Sequence, residues 1–199
     1  MVGPRARALI CRGHLSADDR PMEARLRPGR RSDLAQIVAI YNSYVERSPV
    51  TFDVTPLSVL DRRPWLDEHS GGRHRLLVAC EGNRVEGWAT TSRFRPRAAY
   101  DTTVESSVYV APGFTGQGLG SRLYAALFDS IADEDIERIV AGVTLPNRPS
   151  VQLHRRFRFR RVGTFHRVGR KFGRFWDVAW FERPLRPGAV PFERRARSG

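Results

Sequence analysis

A chain of 199 residues, 41% of them hydrophobic, carries enough apolar material for one globular domain with a real core. No apolar run approaches a membrane span, and two scattered cysteines, Cys11 and Cys80, argue against a disulfide framework or a cysteine zinc site. A soluble protein in a reducing, cytoplasmic setting is expected. The formal charge of +13 is nearly all arginine, with Lys171 the only lysine, a pattern that genome base composition explains without a partner.

Residues 1–21 show no period and much arginine. They read as a loose extension, or as sequence ahead of a translation start at Met22. A targeting peptide fits poorly, because Asp18 and Asp19 interrupt the stretch and no apolar core segment follows. Residues 22–28 read as a first strand. Ser32 is a good N-cap for a helix whose apolar face is Leu34, Ile37, Val38, Tyr41 and Val45, broken by Pro49. Thr55-Pro56 predicts the start of a second helix, closed by Ser70-Gly71-Gly72. Residues 76–80 and 85–91 read as a hairpin around Glu81-Gly82-Asn83-Arg84.

The chain is organised around residues 102–123, TTVESSVYVAPGFTGQGLGSRL. Alternation puts Thr103, Glu105, Ser107 and Tyr109 on one face of a strand and Val104, Val108 and Val110 on the other. Pro112-Gly113 ends it. Gly116, Gly118 and Gly120 then lead into a helix with Leu119, Leu123, Ala126, Leu127 and Ile131 at helical spacing. A strand, a glycine-rich turn and a helix start offer close backbone approach and unpaired N–H groups, which together suit a phosphate. No Gly-Lys-Ser/Thr follows, and GQGLG is not GxGxxG, so neither common phosphate loop fits.

Beyond that helix, residues 138–145 read as a strand interrupted by Pro146-Asn147, and Ser150 as the cap of a short helix through Arg156. Residues 159–165 and 175–181 look like a closing antiparallel pair. From Pro184 the tail is rich in Pro, Gly and Arg and is read as disordered. Residues 155–174 hold nine positive charges and no acid. A solvated face, attraction of a polyphosphate and a nucleic-acid surface are the three readings of that run.

The turn Thr115-Gly116-Gln117-Gly118-Leu119-Gly120 resembles the acetyl-CoA loop, Arg/Gln-x-x-Gly-x-Gly/Ala, of the GCN5-related N-acetyltransferases, with Thr115 departing at the first position. Phe94 to Tyr100, the Thr-Val-Glu-Ser-Ser-Val-Tyr-Val run, Leu145 to Ser150 and Leu153-His154 then follow the order and spacing of the phosphinothricin N-acetyltransferase branch. The resemblance spans roughly residues 23–183. It implies an α+β fold: a twisted mixed sheet, helices on both faces, and a central strand pair splayed to admit acetyl-CoA. The domain division expected is an extension over 1–21, an acetyltransferase domain over 22–183 and a basic tail over 184–199. Where relatives carry Gly in Leu-Gly-Phe/Tyr, this chain has Phe157-Arg158-Phe159; if the position needs a positive φ, Arg158 costs stability or changes the turn.

The resemblance also implies roles. Val108, Tyr109 and Val110 run alongside pantetheine, although Tyr109 also reads as a core or interface aromatic, as do Trp65, Trp88, Trp176 and Trp180. Gly116, Gln117, Gly118, Leu119, Gly120 and Ser121 hold the pyrophosphate, and Asn147 contacts CoA or makes a local turn-forming bond. Phe52, Arg95, Arg97, Tyr100 and Asp101 belong to loops beside the acceptor; ordinary packing competes for Phe52 and a solvated loop for Arg95. Arg97 offers paired donors to a tetrahedral anion.

Acetyl transfer from a thioester to an amine needs a base, an oxyanion donor and an exit for the thiolate. Glu105 is the expected general base. The Val110 N–H is the candidate oxyanion donor. His154 occupies the helix where many relatives place a tyrosine that protonates the thiolate; it can donate or accept a proton near neutral pH, and a structural role competes. No cysteine or serine is placed for an acyl-enzyme, so direct transfer in a ternary complex is expected, without a metal. The expected acceptor is a small amino acid such as phosphinothricin or methionine sulfoximine, and the expected assembly a homodimer. The alternatives are another amine or peptide N-terminus, or a non-catalytic module binding nucleic acid.

Overall fold

The computed structural model describes residues 24–186. The expectations for residues 1–21, Met22 and the tail beyond 186 lie outside them. Strands are β1 (Arg25–Pro28), β2 (Ser70–Gly71), β3 (His74–Glu81), β4 (Arg84–Arg93), β5 (Thr103–Val110), β6 (Arg138–Leu145), β7 (Arg160–Lys171) and β8 (Arg174–Pro184). Helices are α1 (Leu34–Arg47), α2 (Arg63–Asp67), α3 (Leu119–Ser130) and α4 (Arg148–Arg156). The sheet order is β1-β3-β4-β5-β6-β8-β7, with β2 paired to β3. β8 continues through Pro184 and Leu185 is buried, so the sheet and core extend past the expected boundary at 183.

Each face of the sheet has its own core. Leu34, Ile37, Val38 and Tyr41 of α1 pack with Leu66, Val78 and Trp88 on one face. Leu123, Tyr124, Leu127 and Phe128 of α3 pack with Val104, Ile139, Val143 and Phe181 on the other. The 180° alternation of β5 makes both possible: Val104 is fully buried against α3, while Tyr109 stacks on its cross-strand partner Trp88 at 4.6 Å on the α1 face. Trp65, 5.6 Å from Trp88, joins this aromatic cluster.

Three local expectations are corrected by longer-range bonds. Ser32 does not cap α1; it lies in a 3-10 turn, and buried Asp33 instead accepts from Arg30 N and bidentately from Arg27 at 2.6 and 2.8 Å. No helix begins at Thr55-Pro56, because the Asn42 side chain takes both the N–H and C=O of Leu57, which a helix ladder would need. The helical turn waits until Arg63. α4 is capped by Asn147, whose Oδ1 accepts from Ser150 N at 3.1 Å, rather than by Ser150. Arg158 adopts φ 61°, so the helix exit keeps a left-handed residue with an arginine in place of glycine.

Candidate active site

β5 and β6 pair in parallel over only three positions, ending at Glu105↔Val140. Beyond it they diverge, opening a cleft of about 760 Å³ between β5, β6, the glycine turn and α4. Ala111 N–H goes to Glu86 O at 2.7 Å, so by antiparallel alternation the N–H of Val110 points away from β4 and into the cleft. The carbonyl of Val110 is fixed there by Tyr44 Oη at 2.6 Å.

The glycine turn forms the far end. Gly116 and Gly118 have φ of 79° and 80°, and a Cβ on either meets nothing within 4 Å. Backbone angle, rather than crowding, therefore selects glycine here. Gly118 O accepts from Ser121 N and Arg122 N, whereas no described backbone carbonyl accepts from the amides of Leu119 or Gly120. These donors at the start of a 12-residue helix fit a pyrophosphate. Arg156 crosses from α4 to donate to Ser121 Oγ at 2.9 Å, placing one guanidinium at the first turn of α3, and it lines the cleft together with Thr115.

Most expected cofactor residues line this cleft: Val108, Tyr109, Val110, Gly116, Gly118, Leu119, Gly120, Ser121 and Asn147. Gln117 does not; its Nε2 turns back onto Gly113 O. Asn147 spends Oδ1 on the helix cap, and no described residue accepts from its Nδ2.

His154 also lines the cleft and is 3% exposed. Its Nδ1 lies 2.7 Å from Ser150 O, which can only accept, so Nδ1 carries the proton. Nε2 must then accept, and Tyr124 Oη at 3.2 Å is the donor. Burial pushes the His154 pKa down, opposed by the Ser150 bond, and keeps the ring neutral. In this geometry His154 has no proton to deliver from Nε2. Tyr124 lines the cleft as well; its hydroxyl is also 3.4 Å from Ser106 Oγ, and burial raises its pKa. Sequence reasoning missed Tyr124 because a tyrosine at a core-facing helix position reads as packing.

A second cavity, about 520 Å³, opens on the α1 face between the 94–100 loop and β7–β8. Thr103 and Val140 line it, as do Arg95 and Tyr100, while Ser106 and Ser107 line the first. Glu105 itself lines neither cavity; along β5 it falls between Thr103 and Ser106, at the last pair before β5 and β6 separate. Burial raises its pKa above the ordinary carboxylate value, partly offset by Arg95. Arg97 and Asp101 are exposed and line neither cavity, and the Asp101 carbonyl accepts from Arg73. Trp180, read as a core or interface aromatic, lines the second cavity against Phe94. Phe52 packs over Gly169 of β7.

Backbone amides that hold phosphates, leading to a strand edge left open for an extended thioester arm, are the architecture of an acyl-CoA-dependent transferase. The chain belongs to the acetyltransferase (GNAT) family, whose model matches residues 37–159. It is an N-acetyltransferase with acetyl-CoA as acetyl donor. It is 52% identical over 166 residues to a phosphinothricin N-acetyltransferase of Streptomyces coelicolor, covering 82% of this chain and 97% of that one. It is 34% identical to an L-methionine sulfoximine/L-methionine sulfone acetyltransferase of Pseudomonas aeruginosa, covering 83% and 97%. Among solved structures, a phosphinothricin acetyltransferase from Sinorhizobium meliloti in complex with AcCoA matches with TM-score 0.78 and 32% identity, over 82% of this chain and 89% of that one. No helix among the described residues is long and apolar enough to cross a membrane.

Proposed function

We propose that the protein acetylates the α-amino group of a small amino acid, with phosphinothricin and methionine sulfoximine as first candidates. The observation that carries this is Glu105 at the last parallel β5–β6 pair, between Thr103, which lines one cavity, and Ser106, which lines the other. Arg95 and Arg138 line the second cavity and suit a carboxylate or phosphinate, and Phe94, Tyr100 and Trp180 suit a short aliphatic body. The likeness to the Streptomyces and Pseudomonas enzymes supports the same acceptors.

Bound acetyl-CoA supplies an electrophilic thioester carbonyl at the splay. Glu105, its basicity raised by burial, takes a proton from the acceptor ammonium, directly or through one water. The freed amine attacks, and the Val110 N–H donates to the developing oxyanion. As the C–S bond breaks, the Tyr124 hydroxyl, held near His154 and Ser106, turns its one proton from His154 Nε2 to hydrogen-bond the departing sulfur. One ammonium proton ends on the thiol and the other goes to solvent.

The basic run supports this reading over a nucleic-acid module, because its charges are dispersed. Arg160 pairs with Glu182, Arg174 lies 3.8 Å over the Trp176 ring, and Lys171 is buried. A homodimer in the cytoplasm completes the proposal, supported by exposed Val162, Phe165 and Phe175 on β7–β8 and by the free, buried thiol of Cys80. The test is thiol release from acetyl-CoA with phosphinothricin, methionine sulfoximine, ordinary amino acids and a peptide as acceptors. Turnover with the first two is expected; turnover confined to the peptide would overturn the acceptor class.

A further inference from the structure

The two halves of the sheet, β1-β3-β4-β5 and β6-β8-β7, share only the three β5–β6 pairs. At the open end a second connection exists. β6 ends opposite Asp177, so the tip of the β7–β8 hairpin, Gly169 to Trp176, projects beyond it. A register shift between Phe165 and Gly169, with Arg167 at φ 54°, bends β7 there. Asp177 pins the bend by accepting from Arg167 N at 2.8 Å and from His166 Nδ1 at 2.9 Å.

The bent tip reaches the loop after α1. Lys171, the only lysine in the chain, is 4% exposed, and its Nζ donates to Thr51 O at 2.9 Å. Its ammonium also faces the Asp53 charge and the Phe172 ring. The loop is held from its other side by Tyr41, whose hydroxyl bonds Thr51 Oγ1 and Asp53 Oδ2. Phe52, between these two residues, lies so closely over Gly169 that a Cβ there would sit 2.1 Å from its ring. Two residues before Phe52, Val50 lines the acetyl-CoA cleft. A buried ammonium is costly without strong partners, and this one is placed where it joins the two halves.

We infer that Lys171 is a positioning residue that latches the hairpin tip to the 50–53 loop and so fixes Phe52 and the cleft-lining Val50 beside the splay, where the proposed acceptor must meet the thioester. The inference rests on the proposed reading that the acceptor enters from this face. Removing one charge-assisted bond here should loosen Phe52 and Val50 while leaving the pyrophosphate cradle, on the other face, intact.

The test uses the full chain with Lys171→Met, and Gly169→Ala as a second variant that displaces Phe52 without touching the lysine. At saturating acetyl-CoA, KM for the acceptor should rise about tenfold in each, with a smaller change, within about threefold, in the acetyl-CoA Kd by calorimetry because Val50 is one wall of that cleft. Exchange of the 51–53 amides with deuterium should quicken in Lys171→Met. A purely structural role lowers the melting point and the active fraction but leaves acceptor KM unmoved, and that result in a folded variant overturns the latch. If the wild type acetylates none of the acceptors, the substrate reading fails on its own. The exchange experiment then still decides, because unchanged exchange at 51–53 overturns the latch and quickened exchange upholds it.

Discussion

Tyr124 Oη donates to His154 Nε2 across 3.2 Å, joining α3 to α4 at the floor of the acetyl-CoA cleft. The bond sets the direction of two protons at once. The His154 proton is committed to Ser150 and the Tyr124 proton to His154, so of the two only the Tyr124 hydroxyl, by turning, is free to donate in the proposed reaction. A lone histidine beside a cofactor invites an acid–base role; here its partners make it the support for a tyrosine.

Tyr124→Phe keeps the ring in the α3 core and deletes only the hydroxyl. It should lower kcat about 10- to 100-fold, the range for loss of one transition-state hydrogen bond, with the acetyl-CoA Kd unchanged. His154→Ala should cost kcat less, through misorientation. Steady-state rates with parallel calorimetry check both; equal rates for Tyr124→Phe and wild type would remove the hydroxyl from the mechanism.

Arg156 supplies the guanidinium beside the glycine turn, where Thr115 offers no positive charge. Arg156→Ala should weaken acetyl-CoA binding about tenfold while leaving acetyl-pantetheine, which lacks the pyrophosphate, turned over as before. Raising salt should shrink the difference for acetyl-CoA. Equal losses for both donors would place the effect elsewhere.

Asp33 is buried and its pKa is depressed, first by the Arg27 bonds and then by Arg30 N, against the cost of burial. A depressed folded pKa adds stability that is complete above the ordinary value of 3.8 and is lost as pH falls through the folded one. Asp33→Asn should cost about 3 kcal/mol near pH 7, because Arg27 is left unpaired. The difference should shrink below about pH 4. Urea unfolding across pH 2–7 measures it; a constant gap would contradict the assignment.

Arg158 sits at φ 61°, and its charge, after burial, helps depress the pKa of Arg183. Arg158→Gly should raise stability by about 0.5–1 kcal/mol, the left-handed strain exceeding the extra chain entropy of glycine. Thermal unfolding should show a small rise in Tm. A fall would mean that the arginine side chain contributes more than its backbone costs.

Much of this site was legible in the sequence because its determinants are local. Alternation along β5, the glycines opening α3 and the bounds of β6 are each written in consecutive residues, and they place Glu105 and the phosphate cradle. What escaped depends on contacts far apart in the chain. Asn42 holding Leu57 suppresses a helix that Thr55-Pro56 advertises locally. The run from 155 to 174 reads as one charged face, yet its members divide among the cleft (Arg156), the buried latch (Lys171) and rings or carboxylates at the surface. A charge count cannot separate them, because the bend at Arg167 that sends Lys171 inward has no sequence period.

The central claim is that Glu105, at the last β5–β6 pair before the splay, takes the acceptor's proton. The most direct measurement is kcat/KM for phosphinothricin against pH in the wild type and Glu105→Gln. The wild type should lose activity as pH falls through a carboxylate pKa raised above 4.5, because protonation removes the base. Glu105→Gln should lose that limb and about 10²- to 10⁴-fold in rate while binding acetyl-CoA normally. A variant that keeps both the rate and the acid limb would contradict the account.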